Sequence, residues 1–124
     1  MPRIVAVLAD LMFTVKISDA AKRAGVAAEF AKTADDALQK ADSAAAVILD
    51  LNFAPPELIT RLKSDERTRS IPLIGYVSHV QTDVIRQARE NGCDTVMARS
   101  AFVQGLGKMM EGFAVVSDTF QNPK

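Results

Sequence analysis

Short unbroken apolar runs alternate along the chain with stretches whose apolar residues recur at helical spacing. Ile4-Val5-Ala6-Val7-Leu8-Ala9 is the first such run, and an unbroken apolar segment of this length suits a strand buried on both faces of a parallel sheet. Phe13, Ile17, Ala20, Ala21 and Ala24 then recur at helical spacing, with Lys16, Asp19, Lys22 and Arg23 between them and Gly25 placed to end the helix. Val26 to Ala31 reads as a weaker second strand. Thr33, followed by the acids Asp35 and Asp36, predicts a capped second helix reaching about Ala41.

Ala46-Val47-Ile48-Leu49-Asp50-Leu51 is the clearest buried strand, and the Pro55-Pro56 pair interrupts regular structure before Leu58, Ile59 and Leu62 resume helical spacing. A polar stretch from Lys63 to Ser70 precedes a fourth strand, Ile71 to Val77, whose Pro72 suits the start of a strand. Val84, Ile85 and Ala88 predict a fourth helix stopped by Asn91-Gly92. Thr95 to Ala98 is a fifth short strand, and Phe102, Leu106, Met109, Met110 and Phe113 line a fifth helix. Five strand–helix repeats with short connections imply a parallel sheet with helices on both faces, because right-handed crossovers place them there.

Composition narrows the function. The chain has 124 residues, 48% of them apolar, with Lys+Arg and Asp+Glu balanced at 15 each. One domain spanning 1–124, without an output domain, is the expectation at this length. A net charge of zero supplies no basic surface for nucleic acid or an anionic membrane, so neither partner is expected. The one cysteine, Cys93, has no internal disulfide partner, and neither a signal core nor a membrane-length apolar run is present; a cytoplasmic protein is the expectation.

In a sheet of this kind, ligands and chemistry gather beyond the carboxyl ends of the strands. Four strand ends carry useful groups: Asp10 after the first, Asp50 at the end of the third, Ser78 after the fourth and Arg99 after the fifth. An acid, an Asp, a hydroxyl and a cation in this order resemble the receiver domains of response regulators of the chemotaxis-regulator type. The resemblance covers roughly residues 3 to 115, and Leu62-Lys-Ser-Asp-Glu-Arg-Thr-Arg-Ser-Ile-Pro-Leu-Ile74 is especially similar to the family's passage from third helix to fourth strand.

The resemblance implies a flavodoxin-like, doubly wound (βα)5 sandwich with strand order 2-1-3-4-5. It also implies that Asp50 is the phosphoacceptor, with a sensor histidine kinase or a histidine phosphotransfer protein as donor. Mg²⁺ would be held by Asp10, Asp50 and the main-chain carbonyl of Asn52, since this ion takes few protein oxygens and keeps waters. Ser78 matches the hydroxyl that bonds the phosphoryl oxygen. Arg99 replaces the family's lysine by a larger planar fork, which is expected to bond Asp50 permanently.

Other positions depart from the family pattern. Ala9 stands where receivers usually carry a second acid, which weakens the expected metal site. The loop after Asp50 is short, with Phe53 and Pro55-Pro56. Ser100 replaces a proline, and Val96 replaces the switch aromatic of the fifth strand. Each candidate also has a purely structural alternative: Asp10 as a helix cap, Asp50 as an acid satisfied by Arg99 or main-chain N–H groups, Ser78 as a cap of the fourth helix, and Arg99 as a surface cation or a partner for Asp10 or Asp50. His79 is read as solvent-facing or packing, and Cys93 as buried.

Three functions are compatible with these residues. The first is a stand-alone receiver that carries phosphoryl signals to a downstream protein partner. The second is a pseudo-receiver that binds proteins without phosphorylation. The third, a flavodoxin-like small-ligand binder, is disfavoured because Asp10-Leu11-Met12-Phe13 supplies no phosphate-cradling loop. A homodimer through the fourth helix, fifth strand and fifth helix is a further expectation, which a concentration-independent monomer mass would remove.

Overall fold

The computed structural model describes residues 1–79 and 81–121, with the backbone alone for 115–121. Strands and helices alternate as β1 (Arg3–Val7), α1 (Leu11–Ala24), β2 (Ala27–Ala31), α2 (Ala34–Ala41), β3 (Ala46–Asp50), α3 (Pro56–Ser64), β4 (Leu73–Val77), α4 (Thr82–Glu90), β5 (Thr95–Ala98) and α5 (Arg99–Gln121). All strand pairs are parallel and the sheet order is β2-β1-β3-β4-β5, so the flavodoxin-like topology expected above is the one observed.

Strand alternation divides the interior in two. Val5, Val7, Val47, Leu49, Leu73 and Val77 face Ala37 and Ala41 of α2, Leu58, Ile59 and Leu62 of α3, and Ala88 of α4. Ile4, Ala6, Ile48, Ile74 and Tyr76 face the other way, against Phe13, Ile17 and Ala21 of α1 and Phe102, Leu106 and Met110 of α5. Burial on both faces explains the unbroken apolar runs of β1, β3 and β4.

Local chemistry sets the ends. Asp10 caps α1, its carboxylate accepting the Phe13 N–H at 3.1 Å, and Gly25, at φ 78°, closes the same helix in the left-handed region. Thr33 caps α2 by accepting the Asp36 N–H. At Gly75 a Cβ would lie 2.6–2.9 Å from the Leu51 side chain, so glycine there is what lets Leu51 close over β4.

Several boundaries differ from the sequence reading: β2 begins at Ala27 rather than Val26, β3 ends at Asp50 rather than Leu51, and β4 begins at Leu73 rather than Ile71. β1 ends at Val7 rather than Ala9, because the chain leaves the sheet to reach the Asp10 cap. At the last junction β5 passes directly into α5, so that Arg99 is the first helical residue instead of part of a connecting loop.

Candidate functional site

The four residues singled out at the strand ends gather along one edge of the sheet. Asp50 is register-paired with Tyr76, and Val77 with Ala98, so Ser78 and Arg99 each follow the end of a paired position. Alternation from Ala46 and Ile48 sends Asp50 to the α1/α5 side, the side of Tyr76. A tight turn follows, in which the Asp50 carbonyl accepts the N–H groups of Phe53 and Ala54 at 3.0 and 2.7 Å.

Asp50 is half-buried. Burial raises its carboxyl above the ordinary carboxylate value; the Asn52 N–H, donating to Oδ1 at 3.0 Å, and the charge of Arg99 oppose this shift, while Asp10 adds to it.

Arg99 does not bond Asp50 as expected. Its guanidinium reaches Asp10 instead, Nη2 to Oδ2 at 3.4 Å, and lies over the Phe13 ring with 4.4 Å to the centroid. Starting α5 without a connecting loop holds the side chain above α1, where the acid and the ring face are adjacent attractors. Asp10 therefore has both oxygens engaged, one as a cap and one in the ion pair. Of the structural alternatives, the structure shows the cap for Asp10, the Asp10 partnership for Arg99, and a main-chain N–H, that of Asn52, for Asp50.

Ser78 is not a helix cap. The cap position of α4 is Gln81, which makes no side-chain cap bond. The Ser78 main-chain N–H donates instead to the side-chain oxygen of Asn52 at 2.7 Å, and the His79 N–H donates to the same atom at 3.3 Å. Asn52 thus enters the site through its carboxamide. The family resemblance points only to its main-chain carbonyl.

Beneath the edge lies an aromatic cluster. Tyr76 stacks on Phe102 with centroids 4.9 Å apart, and Phe13 lies 5.0 Å from Tyr76 and 5.8 Å from Phe102. Tyr76 is 1% exposed, and among the described residues its hydroxyl has no hydrogen-bond partner. Burial and the nearby Asp50 charge push its phenol well above the ordinary range. Phe13 was legible only as a core position of α1, and nothing in its spacing announced a platform for Arg99.

The donor set for Mg²⁺ is small: Asp10 and Asp50 offer carboxylates and Asn52 a main-chain carbonyl, Asp10 already accepts the Phe13 N–H and pairs with Arg99, and Ala9 contributes no ligand. Among the described residues no group of three or more His, Cys, Asp or Glu side chains is arranged to hold a metal ion. Cys93 is buried, with its thiol pushed up by burial, as befits a packing residue, and His79 is exposed.

The surface near this edge is apolar in places. Leu11, Met12 and Val15 are 77%, 82% and 63% exposed on the outer face of α1, and Phe53 is exposed in the loop after β3. On α4, β5 and α5, the elements expected to form a dimer face, Val84, Ile85, Val96 and Met109 are half-buried against the cores. Among the described residues no helix is long and apolar enough to cross a membrane.

No family model and no curated protein matches the chain. Solved structures do. A response regulator from Chloroflexus aurantiacus is similar with a TM-score of 0.77 at 17% identity, over 93% of this chain and 99% of that one. The chemotaxis protein CheY4 of Vibrio cholerae gives 0.76 at 18% identity, over 91% and 98%. The receiver domain of a Pseudomonas aeruginosa sensor histidine kinase, which has a magnesium ion coordinated in its active-site cleft, gives 0.75 at 13% identity, over 92% and 98%. The chain has the fold of response-regulator receiver domains.

Proposed function

We propose that this protein is a receiver-type signalling module that acts by binding another protein, in an arrangement that does not depend on phosphoryl transfer. The observation that carries the reading is the prior commitment of the site's groups. Asp10 is taken by its helix and by Arg99, Arg99 is stacked on Phe13, and the main-chain donors of Ser78 and His79 are taken by Asn52. A phosphoryl group arriving at Asp50 would have to displace these partners and do so with a depleted set of metal ligands. The exposed apolar residues of α1 and Phe53 support protein contact at the same edge.

A second reading is favoured by Asp50 itself, a half-exposed carboxylate at a strand end with a cation nearby. Under that reading Asp50 accepts a phosphoryl group from a sensor histidine kinase or a phosphotransfer protein, with Ser78 and Arg99 rearranging to meet it and Mg²⁺ held by Asp10, Asp50 and the Asn52 carbonyl.

Intact mass after incubation with Mg²⁺ and acetyl phosphate separates the two. No phosphate-sized gain in wild type or in Asp50→Ala is the expected result. A gain in wild type that Asp50→Ala lacks overturns the first reading in favour of the second.

A further inference from the structure

Between the end of β4 and the start of α4, one side chain meets Ser78, His79 and Gln81. The Asn52 carboxamide oxygen accepts the N–H groups of Ser78 and His79 at 2.7 and 3.3 Å, and its nitrogen reaches the Gln81 side-chain oxygen at 3.5 Å, the outer limit of a hydrogen bond. Its own backbone is fixed in turn, because the Asn52 N–H donates to Asp50 Oδ1 at 3.0 Å. A chain of polar contacts therefore runs from Asp50 through Asn52 to the entry of α4.

Ser78, His79, Gln81 and Asn52 are all exposed, so water could serve each group separately. The carboxamide instead gathers donors from the β4–α4 connection onto the β3–α3 loop. We propose that Asn52 is a built-in latch that holds Ser78 and His79 in one arrangement without any bound ligand, and that Asp50 is its positioning residue. The inference rests on the phosphorylation-independent reading above, to which it adds a mechanism: the edge presented to a partner is set by a side chain of the protein rather than by a transferred group.

Solvent exchange of the Ser78 and His79 amide protons, measured by NMR, tests the latch. Both amides exchange about tenfold faster in Asn52→Ala than in wild type, the loss expected when an amide acceptor is removed from a local opening equilibrium. Asn52→Asp, which keeps an acceptor oxygen, recovers most of the protection. Far-ultraviolet circular dichroism of each variant confirms that the fold is intact. Equal rates in wild type and Asn52→Ala overturn the latch.

Adding Mg²⁺ and acetyl phosphate to wild type leaves both rates unchanged; a change in either rate overturns the claim that the arrangement is ligand-independent. Intact mass on the same samples reports modification of Asp50 separately, so the latch and the reading it rests on fail by different signals.

Discussion

Replacing Tyr76 by Phe should stabilise this protein, although removing atoms from a core usually does the opposite. The ring of Tyr76 is held between Phe13 and Phe102, and a phenylalanine keeps both contacts. Only the hydroxyl is lost, a group that is buried and unpartnered among the described residues. An unsatisfied buried hydroxyl costs about 1–3 kcal/mol, so the variant should gain about 1 kcal/mol or more in urea unfolding. For a domain of this size that corresponds to a rise in Tm of about 3–5 °C per kcal/mol.

The pH dependence gives the same argument a second reading. The folded state holds the phenol proton to higher pH than the unfolded chain does, whose tyrosine releases it near pH ~10. Above that pH the unfolded state binds fewer protons, so wild-type stability falls as pH rises, and the advantage of Tyr76→Phe widens. Equal or lower stability of the variant at neutral pH refutes the reasoning, because it means the hydroxyl is already satisfied.

Asp10→Ala should lose about 1 kcal/mol through the α1 cap, whereas Asp10→Ser, which keeps a capping oxygen but breaks the pair with Arg99, should lose much less; equal losses in thermal melts would place the energy in the ion pair. Gly75→Ala should destabilise by about 1–3 kcal/mol by driving a methyl into Leu51, and combining it with Leu51→Ala should cost less than the two changes summed. Additive losses in denaturant titrations would remove the clash as the cause. Asp50→Asn should be more stable than wild type at neutral pH, since burial disfavours the charged form; the gap should close as pH falls and the folded state takes up the proton before the unfolded one. A less stable Asp50→Asn at neutral pH contradicts this sign.

Much of the fold was legible because burial on both faces writes itself into sequence. The apolar run from Ala46 to Leu49 could only be an interior strand among helices, and Phe13, Ile17 and Ala21 kept the spacing that turns them inward. The positions of Asp10, Asp50, Ser78 and Arg99 at strand ends followed from the same alternation. Their partners did not. Whether Arg99 turns to Asp50 or to Asp10 depends on where α5 begins and on the ring of Phe13, distant in sequence. The role of Asn52 depends on the approach of two loops more than twenty residues apart in the chain. Such contacts carry no periodicity, and a single polar residue beside a strand gives no sign of which loop it will meet.

The strand order fixes which contacts close the longest loops of chain. The first strand lies in the interior of the sheet, between β2 and β3, and its α1/α5 side is completed by the last helix. Arg99 must therefore find Asp10 across 89 positions of chain, a loop closure as long as that between Phe13 and Phe102 and costly in entropy. Until α5 docks, a growing or refolding chain carries Asp10 without its cation and Phe13 without its aromatic neighbour Phe102. The Arg99 pair thus forms only once the first and last helices are both in place.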